Sequence, residues 1–147
     1  MTFEISELTV WGVFDAGMPN LERIVIQANE IVDLANYGLM LGVRGQGGSA
    51  LPVRDNLLWF GHARLNPGDW VFVYTAAGDA RVHEVPNNSE LMYSLHWGKK
   101  VTIFNSPELV PMLFRMDGVQ MPTQSRTNSE SQQLGADNAY NGLTHGS

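Results

Sequence analysis

The segment LNPGDWVFVYT, residues 65–75, decides the fold because it joins a turn to a strictly alternating strand. The letters NPGD combine a proline with a glycine, which is typical of a tight turn. Side chains alternate between the two faces of a strand, so parity places Trp70, Phe72 and Tyr74 on one face and the intervening valines on the other. Both faces are apolar. We therefore expect one face to pack on a second sheet and the other to meet a partner or the C-terminal tail.

The same period of two recurs along the chain in LERIVIQ, YGLMLGV, ARVHEV, KKVTIF and LVPMLFRM. Turn segments such as DAGMPN, GQGGS, AAGD, VPNNSE and NSPE separate these runs every 8 to 15 residues, a spacing typical of a β-sandwich. The sequence thus predicts an all-β fold in which at least seven strands form two packed sheets. The predicted core comprises Ile24, Ile26, Leu39, Leu41, Val71, Val73, Val101, Ile103 and Leu113.

Three local features refine this prediction. The apolar parity changes within the first strand, which indicates a β-bulge near Ser6 and Glu7. The stretch NLERIVIQANEIVDLANYG, residues 20–38, partly follows helical spacing, but its β-branched centre favours a strand. A short helical turn is predicted in NSELMYSL, residues 88–95, with Asn88 or Ser89 as its cap.

The length suits one β-sandwich domain, residues 1–120, followed by an extended polar C-terminal arm, residues 121–147. The arm is rich in Asn, Ser, Gln and Gly and cannot bury enough apolar surface to repay the entropy of ordering. We therefore expect it to be ordered only when docked on other subunits. Its predicted anchors are Leu134, Tyr140 and Leu143.

Composition excludes several classes of function. Nine basic and fifteen scattered acidic residues give a net charge of -6, which argues against nucleic-acid binding because that depends on clustered Lys and Arg. The absence of cysteine excludes a disulfide scaffold, a thiolate zinc site and a cysteine nucleophile. The N-terminus MTFEISELTV lacks the features of a signal peptide, and no apolar run approaches the roughly 20 residues of a membrane span.

No catalytic constellation is apparent, so we expect no enzymatic activity, no cofactor and no metal. Histidines occur at positions 62, 83, 96 and 145 without a ligand-like spacing. The loop GVRGQGGS, residues 42–49, is rich in glycine but has neither the lysine nor the following helix of a phosphate loop. Six aromatic residues could form a sugar-stacking platform or lie in the core. These are Trp11, Trp59, Trp70, Tyr74, Tyr93 and Trp97.

From Glu22 to Gly118 the order of features resembles the lamin-tail-like domain. The matching segments are ERIVIQAN, VDLANYGLML, LNPGDWVFVY and HWGKKVTIFNSPELVPMLFRMDG. The chain departs from the family pattern where Trp11 and Gly12 replace an Asn-Glu pair. The resemblance implies an immunoglobulin-like β-sandwich that serves as an attachment or interaction module and that occurs in nuclear lamins and in bacterial and phage proteins.

These observations favour a non-enzymatic structural subunit of a large assembly, in particular a bacteriophage virion protein of the tail, tail tip or capsid decoration. Its expected partners are many copies of other structural subunits, and its expected location is the virion, after synthesis in the host cytoplasm. The predicted interface residues are Trp70, Phe72, Tyr74, Leu134, Tyr140 and Leu143. The alternative is a β-sandwich module that binds a carbohydrate or a cell surface.

Overall fold

A computed structural model describes residues 4–124, and the regular secondary structure of this part of the chain is almost entirely β-strand. Its ten strands are β1 (Leu8–Phe14), β2 (Arg23–Ala28), β3 (Val32–Asp33), β4 (Tyr37–Arg44), β5 (Ala50–Trp59), β6 (Arg64–Leu65), β7 (Trp70–Tyr74), β8 (Arg81–Glu84), β9 (Leu91–His96) and β10 (Leu109–Arg115). Two single-turn 3-10 helices, Leu34–Asn36 and Gln46–Gly48, lie between strands. Among the described residues, no helix is long and apolar enough to cross a membrane.

The strands form a five-stranded sheet in the order β1-β2-β7-β9-β8 and a three-stranded sheet in the order β10-β4-β5. A short ladder between β3 and β6 forms a third, two-stranded sheet. All pairings are antiparallel except β7 with β9, which run parallel. The predicted all-β, sandwich-like fold is confirmed.

The core lies between the inner faces of the sheets. Six predicted core residues are buried: Ile24, Ile26, Leu39, Leu41, Val71 and Val73. Ile103 and Leu113 are partly buried and pack against that cluster. The prediction for Val101 is wrong, since its side chain is 73% exposed. The segment KKVTIF forms no strand; it is a loop after Gly98, and Phe104 enters the core in place of Val101.

Two of the local predictions are also wrong. The irregularity in β1 lies between Val10 and Gly12, not near Ser6 and Glu7. Gly12 has a φ of 143°, which side-chain-bearing residues rarely adopt, so the glycine fixes where the extra residue is accommodated. Residues 91–96 form strand β9 instead of a helical turn, because they pair in parallel with β7. The extended interpretation of LERIVIQ is confirmed by β2.

A buried carboxylate, Glu22, ties two loops to the end of β7. One oxygen accepts hydrogen bonds from the Thr75 hydroxyl and the Ile103 amide, at 2.7 and 2.9 Å. The other accepts from the amides of Gly17 and Phe104, at 2.8 and 3.0 Å. Burial alone would raise the pKa of Glu22, but these four donors stabilise the charged form and hold the pKa below its ordinary value.

A second polar cluster connects the start of β1 to β4 and β10. The Tyr37 hydroxyl and the Arg115 guanidinium both donate to the same Glu7 oxygen. The hydrogen bond from Tyr37, helped by Arg115, lowers the pKa of Glu7 to about 2. Burial and the neighbouring carboxylate raise the pKa of Tyr37 to about 12. The cluster therefore stays in its bonded state throughout the neutral pH range.

The compact body of the protein ends at Asp117, and a separate unit begins at Gly118. Residues 118–124 of that unit contain no strand and are exposed. Most of the predicted C-terminal arm, residues 125–147, lies outside the described residues.

Candidate partner-binding surface

The outer face of the five-stranded sheet carries the aromatic side chains that parity predicted there. Trp70 and Phe72 are half-buried on this face, whereas the alternating Val71 and Val73 are fully buried in the core. The rings of Trp70 and Phe72 meet edge to face, with centroids 6.3 Å apart. The same strand thus serves the core and an outer surface.

Trp11 extends this aromatic surface onto β1, a position that parity did not predict for it. Its neighbours Val10 and Gly12 pair with Ile26 and Val25, so Trp11 is the extra residue of the bulge. The indole N–H donates to Gln27 Oε1 at 3.2 Å, and the ring lies 6.4 Å from that of Trp70. The signal in the sequence was the isolated Gly12 inside an alternating strand, which commonly marks a bulge.

The aromatic rings border a cleft of about 560 Å³, hereafter the aromatic cleft. Val25 is buried beneath it, and the turn between β8 and β9 forms one wall. Its surface consists almost entirely of carbon. The lining residues are Trp11, Phe14, Arg23, Val25, Trp70, Phe72, Glu84, Val85, Pro86, Asn88, Glu90 and Met92.

Charge in the cleft is uneven. Arg23 lies 5.7 Å from the ring centroids of both Phe14 and Phe72, and it is already paired with Asp15 at 2.7 Å. Two acidic residues, Glu84 and Glu90, and no basic residue line the β8–β9 wall. Since Asp15 balances Arg23, the residues around the cleft carry an excess of negative charge.

Tyr74 occupies a different part of the outer face. Its ring stacks on that of His96, with centroids 5.3 Å apart and planes inclined by 17°. It does not line the aromatic cleft. The structure therefore places Trp70 and Phe72 in the cleft and leaves Tyr74, on the same face of β7, outside its lining. The other predicted interface residues, Leu134, Tyr140 and Leu143, lie outside the described residues.

The six aromatic residues considered as a sugar platform do not share one surface. Trp59 lies on the three-stranded sheet, where its ring is 6.4 Å from Phe114. Tyr93 and Trp97 pack against the core. Only Trp11 and Trp70 of the six line the aromatic cleft.

Among residues 4–124, no group of three or more His, Asp or Glu side chains is placed to hold a metal ion. His62 instead pairs with Asp33 at 3.1 Å on the surface, where ion pairs contribute little to stability. The glycine-rich loop contains an exposed 3-10 turn, Gln46–Gly48.

Comparisons with protein-family models, with curated proteins and with solved structures found no match to this chain. The resemblance to the lamin-tail-like domain therefore stays a prediction.

Proposed function

We propose that this chain is a non-enzymatic structural subunit of a large assembly, and that it binds a partner subunit through the aromatic cleft. The cleft is the observation that carries the proposal. Trp11 and Phe14 at its border are 59% and 45% exposed. Large clustered apolar surfaces are uncommon on monomeric proteins and usually mark interaction sites. Trp and Arg, both present here, are also the residues that most often dominate binding energy.

The chemistry of the cleft favours a particular occupant, a peptide segment with an apolar anchor next to Lys or Arg. The carbon-lined cavity of about 560 Å³ is large enough for one or two apolar side chains. Glu84 and Glu90 on one wall would attract the basic neighbours of such an anchor. A neutral or acidic segment would lack this electrostatic attraction to Glu84 and Glu90.

A carbohydrate ligand is the second candidate, favoured by the exposed indole of Trp11 in a cleft that Asn88 and Glu90 also line. Sugar rings stack on open aromatic faces, and their hydroxyl groups need hydrogen-bond partners once buried. The ring planes of Trp11 and Trp70 are inclined by 38°, and those of Trp70 and Phe72 by 79°. The cleft walls are also nearly all carbon. These features support an apolar side chain better than a sugar.

The finer proposal is that the assembly is a bacteriophage virion and that the chain belongs to its tail, tail tip or capsid decoration. It is supported by the resemblance of residues 22–118 to an attachment module and by the low content of charged residues, 16%. The partners would then be many copies of other virion subunits.

A displayed library of random linear peptides, selected against the intact chain, tests the occupant. We expect the selected peptides to share an aromatic or aliphatic anchor next to Lys or Arg. Trp11→Ala should weaken their binding about tenfold or more, as loss of a central aromatic anchor commonly does. Ile31→Ala is the matched control, because Ile31 is 57% exposed and does not line the cleft. Binding that is indifferent to Trp11→Ala would overturn the proposed site.

Two further measurements separate the alternatives. Binding to an array of glycans, lost in Trp11→Ala, would replace the peptide proposal with the carbohydrate one. Sedimentation of an extract from the protein's own source tests the assembly. We expect the chain in a particle far heavier than its 16.3 kDa, and a chain found only at that mass would contradict the proposal.

A further inference from the structure

A groove lies between the edges of the two sheets, where β1 of the five-stranded sheet runs beside β10 of the three-stranded sheet. This groove, here called the seam, is lined by residues within the ranges 10–17 and 104–111 and by Arg44. Its volume is about 750 Å³, compared with about 560 Å³ for the aromatic cleft. At the other ends of the two strands, Arg115 binds Glu7 at 2.7 Å and joins β10 to β1.

Side chains of the core line the seam. Phe104 is buried, and Val10, Val13 and Leu109 are partly buried and pack against the core cluster. Within residues 4–124 no backbone hydrogen bond joins β1 to β10. The sandwich is therefore not closed by strand pairing along this line, and part of its apolar interior borders the groove.

Backbone groups of β1 at the seam lack a partner strand. The Ala28 amide at the end of β2 bonds to the segment before β7, so alternate residues of β2, including Ile26 and Ile24, bond to β7. The β1 residues opposite these two are Val10 and Val13. Both therefore occupy non-hydrogen-bonded positions and direct their N–H and C=O groups away from β2.

The part of β10 that lines the seam offers acceptors only. The Arg44 amide donates to the Glu108 carbonyl, and this bond sets the alternation by which Leu109 and Pro111 direct their backbone groups away from β4. The Leu109 amide already donates to the Ser106 carbonyl, and proline has no N–H group. Two outward carbonyls, those of Leu109 and Pro111, are left.

This pattern of donors and acceptors fits an extended peptide. An extended backbone presents N–H and C=O groups along both of its edges. One edge can pair with Val10 and Val13 while the other donates to the carbonyls of β10. Addition of a strand to a sheet edge is a common mode of peptide recognition. The bulge at Gly12 interrupts the regular spacing along β1, so only a short segment can pair there.

Charge favours one acidic residue in that segment. Arg44 is the only ionisable residue that lines the seam, and within residues 4–124 it has no ion-pair partner. The carboxylates bonded to lining residues are already engaged, since Glu22 accepts four hydrogen bonds and Glu108 accepts one from the Ser106 hydroxyl. The net charge of -6 would repel a strongly acidic partner, so the rest of the segment should be neutral.

We propose that the seam binds an extended, mainly apolar segment of a partner protein, with one Asp or Glu beside Arg44. The backbone of the segment pairs with Val10 and Val13, and its apolar side chains cover the core side chains that border the groove. This site is independent of the aromatic cleft and would remain if the cleft bound nothing.

A displayed library of random linear peptides, selected against the Trp11→Ala chain, tests the seam without the exposed indole of the aromatic cleft. We expect the selected peptides to share alternate apolar residues and one Asp or Glu. Arg44→Glu should weaken their binding at least about tenfold, because it sets two like charges against each other. Arg54→Glu changes the net charge equally at an exposed position outside the seam and should alter Kd by less than about twofold. A library that yields no such peptide, or binding indifferent to Arg44→Glu, overturns the proposal.

Amide hydrogen exchange, measured by NMR with one selected peptide, locates the contact without a substitution. Exchange of the Val10 and Val13 amides should slow on binding, because both point away from β2 and would donate to the peptide. The Val82 amide in β8, at the opposite edge of the same sheet, is the control. It also points away from its neighbouring strand, since Val85 bonds to Glu90 across the adjoining turn, and it should keep its rate. Unchanged exchange at Val10 and Val13 in the complex would overturn the proposed pairing.

Discussion

Replacing Glu22 with glutamine tests whether the buried carboxylate holds the loops against the sandwich. The substitution keeps the shape of the side chain and removes its charge. In the wild type both oxygens accept two hydrogen bonds, from Thr75 and Ile103 on one side and from Gly17 and Phe104 on the other. The new amide has one accepting oxygen and one NH2 group, so one pair of donors must face another donor.

The structure predicts which pair that is. The Thr75 hydroxyl can rotate and accept a hydrogen bond, whereas the amides of Gly17 and Phe104 can only donate. We therefore expect the NH2 group to point towards Thr75 and to leave the Ile103 amide unsatisfied. Leaving that buried donor without an acceptor costs about 1–3 kcal/mol. The hydrogen bonds with Thr75, Gly17 and Phe104 persist but no longer involve a charged group, which weakens each by roughly 0.5–1 kcal/mol. The free energy of unfolding should fall by about 4 kcal/mol.

The effect should depend on pH with a definite sign. The pKa of Glu22 is lowered from the ordinary value of 4.5 in the folded protein. A depressed pKa contributes stability that is fully present above the unfolded pKa and is lost as pH falls through the folded pKa. The difference in unfolding free energy between wild type and Glu22→Gln should thus be largest above pH 4.5 and shrink below it.

Urea unfolding followed by circular dichroism, at pH 7 and at several acidic values, measures both effects. Glu30→Gln removes the same charge from an exposed position at the opposite end of β2 and should change stability by less than about 0.5 kcal/mol. A Glu22→Gln variant within about 1 kcal/mol of wild type at pH 7 would refute the reasoning, because one unsatisfied buried donor alone should cost that much.

Three further predictions concern other parts of the chain. Gly38→Ala should lower the unfolding free energy by about 1–3 kcal/mol, because its Cβ would clash with the Leu58 carbonyl oxygen and with the Phe114 ring. Gly118→Ala should have little effect, because its Cβ would meet none of residues 4–124. Tyr37→Phe removes the hydrogen bond that is the main cause of the lowered pKa of Glu7, about 2. An NMR titration of the Glu7 carboxyl should therefore show its pKa rising towards 4.5. An unchanged pKa would contradict the hydrogen bond from Tyr37 to Glu7. Deleting residues 123–147 should leave the thermal midpoint of unfolding nearly unchanged if the polar arm is ordered only by partner subunits. A large drop in the midpoint would contradict the prediction that the arm docks only on partners.

Alternation in the sequence was sufficient to predict most of the strands and their buried side chains. In β7 the valines face the core and Trp70 and Phe72 face outward, as parity requires. The wrong prediction for Val101 shows the limit of alternation. Val101 lies in the alternating segment KKVTIF, but alternation does not reveal whether a partner strand is present, and among the described residues no strand pairs with the loop after Gly98.

The candidate site was predictable only in part, because it depends on contacts between distant strands. Parity predicted which face of β7 carries Trp70 and Phe72. It could not predict which side chains of other strands lie next to their rings. Trp11 joins them because β1 pairs with β2, which in turn pairs with β7, and because the bulge at Gly12 accommodates an extra residue. The outer face of the three-stranded sheet similarly depends on the register of β4 with β10, which sets Phe114 against Gly38 and leaves room for Met112 at Gly42.

The shape and charge of the aromatic cleft together favour an inserted basic segment over a second copy of this chain. An apolar anchor gains from the depth of the cleft, and its basic neighbours gain from Glu84 and Glu90. A second copy of the chain brings its own net charge of -6, which the same acidic residues would repel. In a repetitive assembly that contains many copies of the subunit, each occupied cleft raises the effective concentration at the next one, so weak individual contacts could still hold the subunit in place.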